Sequence, residues 1–318
     1  MAPLRSALRI VSLLPSATEI LFALGLGEQV VGVSHECDFP PAARSKTVVI
    51  HSRIPKGATP CEIDRIVREF SARGESVYSV DGETLRSLSP DLIVTQDLCH
   101  VCAASPEDLS AVLARFDQKP AVLCLNPLDL GDVWRDILWV GEETFRPHAA
   151  EKLIGAIGEK LGALEEQVKN TSERPSVVFL EWLQPIYVGG HWVPEMIQLA
   201  GGRDALGKPR TPSFRVTLDD VVATQPDILI VAPCGYTADQ AREEYPSMNF
   251  PRGWHDIPAV RAGRVYFLDA NSYFSRPGPR LITGLEILAK LFHPALVVGH
   301  EAEAAITTIA MAKHAASV

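Results

Sequence analysis

The residues best suited to chemistry in this chain carry sulfur and imidazole. Cys99 and Cys102 stand two residues apart with His100 between them. Such a pair supplies two of the four N/S ligands that tetrahedral zinc takes. His35 and Cys37 are the donors that would complete a set for zinc or iron. Two other uses stay open. One is a dithiol–disulfide couple, for which thioredoxin-like surroundings are missing. The other is a structural pair of small residues in a tight loop. A helix start follows at Ser105-Pro106-Glu107-Asp108, where oriented backbone N–H groups would lower a thiol pKa. All six cysteines are irregularly spaced, which argues against a disulfide framework in a chain of this size. Cys124, in the run Ala-Val-Leu-Cys-Leu, reads as a small core residue.

Other chemistries lack their motifs. There is no Gly-x-x-x-x-Gly-Lys-Ser/Thr loop, no His-Glu-x-x-His and no Gly-x-Ser-x-Gly. Gly25-Leu26-Gly27 follows a helical pattern instead of joining strand to helix, so it does not read as a dinucleotide site.

Something must hold the reactive loops in place. Short apolar runs predict strands at 9–14, 30–34, 91–96, 121–125, 176–181, 227–232 and 264–269. They alternate with helical patterns, which points to βαβ units and parallel sheets. The chain also repeats itself loosely. Glu19…Gly25 resembles Glu195…Gly201, each placing glycine where a helix would end in a left-handed cap. Leu88-Ser-Pro-Asp-Leu-Ile-Val resembles Thr224-Gln-Pro-Asp-Ile-Leu-Ile, and an acid, Glu83 or Asp219, stands seven residues before each proline. The separations Glu19–Pro90 and Glu195–Pro226 are 71 and 31 residues. The first copy therefore carries an insertion, placed at about 34–80, whose Thr59-Pro60-Cys61-Glu62 start predicts a small helical addition. Between the copies, Leu153, Ile157, Leu161, Leu164 and Val168 recur on one helical face. These patterns divide the chain into a lobe at 1–146, a linker helix at 147–170 and a second lobe at 171–318. The linker would span roughly 33 Å. The Ala-rich stretch from Pro294 onward predicts a helical extension.

Composition narrows the function. Hydrophobic residues make up 47% and charged residues 22%, enough for a substantial core. A net charge of −9 argues against a nucleic-acid binder. No apolar run approaches the ~18 residues of a spanning helix. The first predicted strand begins at Arg9, which leaves no room for a leader, so the expectation is a cytoplasmic protein.

In open α/β sheets, ligands bind beyond the carboxyl ends of the strands. The loops there hold Pro15 and Ser16; His35 and Cys37; Gln96, Asp97, Cys99 and Cys102; Glu181 and Trp182; His191 and Trp192; Tyr236; and Tyr273 and Arg276. Aromatic walls with few polar anchors suit a small-molecule site. Trp182, Trp192 and Tyr273 are candidates to stack on a flat ligand, or to be core. Arg276 is a candidate to pair with a ligand oxygen, or to hold the Pro277-Gly278-Pro279 loop.

Five ordered blocks carry a family resemblance: Arg9–Gly27, the Ser-Pro-Asp-Leu-Ile-Val block, Val-Gly-Gly-His-Trp-Val-Pro-Glu-Met-Ile-Gln-Leu-Ala-Gly-Gly, Thr217–Val231 and Ser-Arg-Pro-Gly-Pro-Arg-Leu. Together they resemble the vitamin B12 (cobalamin)/iron-siderophore substrate-binding proteins of ABC importers, the helical-backbone type, with the cobalamin-binding branch nearest. The resemblance implies two Rossmann-like α/β lobes with parallel sheets, a long backbone helix joining them and a ligand cleft between the lobes. It implies reversible binding of a corrinoid, with no catalytic residues and no required cofactor. Thiolate or imidazole contact to the corrinoid's cobalt is then a further use for the cysteine and histidine loops. It also implies that one acid per lobe, here Glu83 and Asp219, docks onto arginines of the importer's membrane subunits. Asp219 is one methylene shorter than the family's usual glutamate. The alternative for both acids is a favourable place near a helix N-terminus. Two rival functions stay open: a cytoplasmic metal-dependent or redox enzyme using His35, Cys37, Cys99 and Cys102, and a siderophore or haem binder.

Overall fold

A computed structural model describes residues 8–96 and 106–307 of the chain. They form two compact units. One takes the chain up to Pro127 together with Gly131–Gly155; the other takes Leu128–Leu130 and the chain from Ala156 on.

The first unit is built on one sheet. Its strands are β1 (Ile10–Ser12), β2 (Val30–Ser34), β3 (Thr47–Ser52), β4 (Tyr78–Val80), β5 (Leu92–Gln96) and β6 (Ala121–Leu125), in the order β4-β3-β2-β1-β5-β6. All neighbours are parallel except β3 and β4. The central parallel strands β1, β2 and β5 are buried along almost their whole length, hence their continuous apolar runs. Val11, Leu13, Ile50, Leu85, Ile93 and Leu109 form the core beside them. Helices α1 (Pro15–Ala23), α2 (Pro60–Ala72), α3 (Gly82–Ser87), α4 (Pro106–Leu113), α5 (Leu130–Glu143) and α6 (Pro147–Lys169) follow in chain order. α1 has proline in its first turn, where the missing N–H costs nothing.

The expectation of a small helical addition at 34–80 is corrected here. α2 is present, with the capping box Thr59–Glu62 at its start. The same segment also supplies β3 and β4, which extend the sheet to its edge.

α6 matches the helix predicted over 147–170. Ile157, Leu164 and Val168 are buried and Leu153 and Leu161 partly so. Its residues through Gly155 cluster with the first unit and those from Ala156 with the second.

The second unit holds β7 (Ser176–Leu183), β8 (Ile186–Val188), β9 (Arg203–Asp204), β10 (Phe214–Arg215), β11 (Ile228–Val231) and β12 (Val265–Phe267). The order is β10-β8-β7-β11-β12, with β9 also paired to β7. β7, β9, β11 and β12 run parallel, while β8 and β10 add antiparallel pairs. Helices α7 (Val193–Leu199), α8 (Leu218–Thr224), α9 (Ala238–Glu244), α10 (Pro258–Arg261), α11 (Ala270–Tyr273), α12 (Leu281–Phe292) and α13 (His300–Thr307) complete it. Leu180, Val231, Trp254 and Phe267 lie in its core. No described helix is long and apolar enough to cross a membrane.

One buried acid makes the first unit's stability depend on pH. Asp136 on α5 is 9% exposed, and its Oδ2 has no hydrogen-bond partner. Burial pushes its carboxyl up to about 7, with Arg135 pulling the other way. The folded state therefore holds this proton more tightly than the unfolded chain does. Stability from this group is present below about pH 4 and is lost as pH rises to about 7. Asp136→Asn should stabilise the protein at pH 8 by on the order of 1 kcal/mol or more and flatten the slope between those limits. Urea unfolding across pH checks it; an unchanged slope would refute it.

Candidate functional site

The strand order of each sheet reverses at one place, and there the loops beyond the strand ends diverge. In the first unit β2 and β3 lie on one side of β1, with β5 and β6 on the other. Pro15 and Ser16 follow the end of β1, and Gln96 ends β5. All three are buried. Asp97, Cys99 and Cys102 lie outside the described residues. Among the described residues no three metal-ligating side chains come together.

His35 stands just beyond β2. Its backbone N–H donates to the Ile50 carbonyl at 3.2 Å, and its Nδ1 lies 3.1 Å from the same oxygen. A carbonyl only accepts, so Nδ1 carries the proton and Nε2 bears the lone pair. Nε2 is 3.9 Å from a Glu36 carboxylate oxygen, and the side chain is 29% exposed. Burial lowers the imidazole pKa, opposed by the Ile50 bond. Cys37 is placed differently: it is 4% exposed, and Thr18 Oγ1 lies 3.0 Å from its Sγ. That thiol is buried against Thr18 of α1.

In the second unit the reversal falls between β7 and β11. Glu181 and Trp182 sit near the end of β7, and Cys234 and Tyr236 follow β11. The Cys234 N–H donates to the Glu181 carbonyl at 3.0 Å, tying the two loops together. Trp182 and Tyr236 meet edge to face with centroids 5.8 Å apart, and both are partly exposed. Burial raises the Tyr236 hydroxyl pKa, helped by the Glu244 charge. The Trp182 indole N–H donates to the Gln184 carbonyl, which leaves the ring faces as its remaining recognition surface.

The Glu181 carboxylate organises the neighbouring loop. Oε1 accepts from Ser213 Oγ at 2.8 Å, and Oε2 accepts from the Gly190 N–H at 3.4 Å. His191 follows in the left-handed region at φ 50°. Its N–H donates to the Thr211 carbonyl, and its own carbonyl accepts from the Arg210 N–H. Its Nε2 is shielded from water without a hydrogen-bond partner, and burial lowers its pKa. Arg210 also pairs with Asp129, and the Leu130 N–H donates to Glu195 at 2.9 Å. Glu181→Ala should cost about 2 kcal/mol through the lost charged hydrogen bonds. It should loosen the His191 loop, measured as protection of the Gly190 and His191 amides in hydrogen exchange. Unchanged protection would refute the role.

Trp192 departs from the stacking role. It is 5% exposed, and its indole N–H donates to the Phe274 carbonyl at 2.7 Å. Its ring belongs to the core beneath the loop. Tyr273 on α11 is partly exposed beside Arg280, whose guanidinium lies 5.9 Å from the ring centroid. Arg276 is half-buried in the loop before α12. Ser213 and Arg210 were not legible as site residues, because no local pattern marks a serine or arginine as the anchor of a distant loop.

Glu83 and Asp219 occupy the second position of α3 and α8. The neighbouring Asp81 and the Thr217–Asp220 capping box satisfy those helix starts. Both acids are exposed. A cavity of about 350 Å³ beside Glu83 is lined in part by Val80, Arg86 and Arg115.

A family model described as periplasmic binding protein matches residues 10–272. The ABC transporter substrate-binding lipoprotein YvrC of Bacillus subtilis is 28% identical over 293 residues, covering 90% of this chain and 80% of that protein. The vitamin B12-binding protein of Photorhabdus laumondii is 24% identical, covering 89% and 87%. Among solved structures, the periplasmic heme-binding protein RhuT of Roseiflexus is 25% identical with TM-score 0.67, covering 91% and 99%. The vitamin B12-binding protein BtuF of Vibrio cholerae is 22% identical with TM-score 0.65, covering 90% and 97%, and shares the fold. These matches overturn the expectation of a cytoplasmic protein: the relatives are periplasmic or lipoprotein binding proteins. The position of the first strand, on which that expectation rested, reports where folding begins and carries no information about compartment.

Proposed function

The chain belongs to the periplasmic binding protein family, and we infer that it binds a corrinoid, cobalamin or a precursor, reversibly, for delivery to an ABC importer. The observation that carries this reading is the rim of the second unit. Trp182 and Tyr236 offer partly exposed aromatic surface beside the polar Glu181–Gly190–Ser213 contacts. A flat macrocycle with amide side chains matches that combination of stacking surface and few polar anchors. Vitamin B12, the ligand in the Photorhabdus relative's name, has this form. In this reading 1–146 and 171–318 are the two lobes, 147–170 is the tether, and Glu83 and Asp219 meet basic side chains of the membrane subunits. Binding of this kind requires no acid, base or nucleophile of the chain.

Haem is the second reading, favoured by the likeness to RhuT. One titration separates the readings. The purified protein is first assayed for zinc, iron and cobalt, then titrated with hydroxocobalamin, dicyanocobinamide and haemin while tryptophan fluorescence and visible absorbance are followed. Saturable quenching by the two corrinoids supports the proposal. Quenching by haemin alone transfers the site to haem. Stoichiometric zinc or iron with no response to any of the three overturns it.

A further inference from the structure

Resting on the corrinoid reading, we propose that Glu244 sets the ligand preference of the second unit's rim. Through Gln184 it positions the Trp182 ring, and its charge favours a ring edged with neutral amides over one edged with carboxylates, as haem is. All the residues involved lie in the second unit.

A short chain of hydrogen bonds makes the connection. The Trp182 indole N–H donates to the Gln184 carbonyl at 3.2 Å. The Gln184 side-chain amide donates to Glu244 Oε1 at 3.1 Å and to Ser247 Oγ at 2.8 Å. Ser247 Oγ in turn donates to the Glu244 carbonyl at 2.7 Å. Gln184 stands in the turn between β7 and β8, so the end of α9 holds the residue that fixes the indole. That end is itself anchored. Tyr245, next to Glu244, packs against Phe250 and Phe267 with centroids 5.0 and 5.3 Å apart. Its hydroxyl accepts from the Trp254 indole N–H at 3.1 Å.

The carboxylate stands where an acid is unfavourable. Glu244 is the last residue of α9, and the helix dipole disfavours negative charge there. A glutamine oxygen would accept the same bond from Gln184 without that cost. Arg242, on the same helix, pairs with Asp239 at 2.8 Å. The Glu244 charge reaches the Tyr236 hydroxyl, where it acts with burial to keep the proton on oxygen. A ligand group bound at Tyr236 therefore meets the same charge. A neutral phenol donates to an amide carbonyl, whereas a carboxylate edge faces like-charge repulsion. Phenolate ligation of haem iron is disfavoured by the same carboxylate.

The experiment compares the full chain as wild type, Glu244→Gln and Glu244→Ala. Dicyanocobinamide and haemin are titrated against each at low and physiological salt. Exchange of the Trp182 indole N–H is followed by NMR, its signal identified by its loss in Trp182→Phe. Glu244→Gln keeps an acceptor for Gln184 and drops the charge. Its haemin affinity relative to dicyanocobinamide should rise about 10-fold over wild type, most at low salt. Glu244→Ala should show that shift and also exchange the indole proton about fivefold faster, as the Gln184 turn loosens. The glutamine variant should restore slow exchange. An unchanged affinity ratio in Glu244→Gln, or unchanged indole exchange in Glu244→Ala, overturns this proposal while wild-type corrinoid binding stands. Absence of dicyanocobinamide binding by the wild type overturns the corrinoid reading and this proposal together.

Discussion

Trp182→Ala should lower the affinity for cobalamin and cobinamide by about 30-fold or more, the largest single effect of any side chain at the second unit's rim. The ring is a rigid aromatic surface with its N–H already committed to Gln184, so ordering it on binding costs little conformational freedom. Its loss also removes the partner of Tyr236, leaving that ring without lateral support. Trp182→Phe should recover most of the affinity, because a stacking face remains. Titration by visible absorbance measures both variants. An alanine variant within about twofold of wild type would remove the aromatic rim from the binding site.

Gly190→Ala should be the most damaging single-methyl change in this loop. A Cβ there would lie 2.4 Å from the Ser213 nitrogen, 2.5 Å from the Thr211 oxygen and 2.7 Å from the Pro212 carbonyl carbon. All three are backbone atoms, which cannot swing aside as a side chain would. Forced overpacking of this kind costs about 1–3 kcal/mol. The displaced segment, just before β10, is the one that bonds His191 and supplies Ser213 to Glu181. The expected result is a lower Tm together with weakened ligand binding. By contrast, Gly235→Ala meets no atom within 4 Å and should leave neighbouring packing in place while straining its own left-handed backbone at φ +85°. Equal Tm for the Gly190 variant and wild type would refute the argument.

The internal repeat was legible because each part of it has a local cause. Gly25 and Gly201, at φ +76° and +85°, end α1 and α7 in the left-handed conformation that glycine adopts without strain. Ser89 and Gln225, at 43° and 45°, turn the chain just before Pro90 and Pro226. Asp91 accepts from the Arg9 N–H, and Asp227 from the Ser176 N–H, each at 2.8 Å. Proline, aspartate and a continuous apolar strand leave a signature whichever copy is read.

The edge elements left weaker marks. β3 was hidden by the stronger helix start at Thr59, and β4, β8, β9 and β10 are two or three residues long, too short for a periodicity to register. The site was legible as loops but not as contacts. Trp182 and Trp192 look alike in sequence, and only the Phe274 carbonyl, 82 residues away, makes one of them core. Ser213 serves Glu181 across 32 residues, and nothing in its neighbours announces the pairing.

The excursion of Leu128–Leu130 into the second unit has a consequence for anyone dividing the gene. A fragment starting at residue 156 would omit Asp129 and Leu130, removing the Arg210–Asp129 ion pair and the bond from the Leu130 N–H to Glu195. Arg210 and Glu195 both follow the His191 turn in sequence, so a half-gene product would keep the turn's own bonds to Glu181 and Thr211 but lose this outer support. Supplying a tripeptide Leu-Asp-Leu in trans, or grafting it through a short linker, is the modification that should make the half-protein behave.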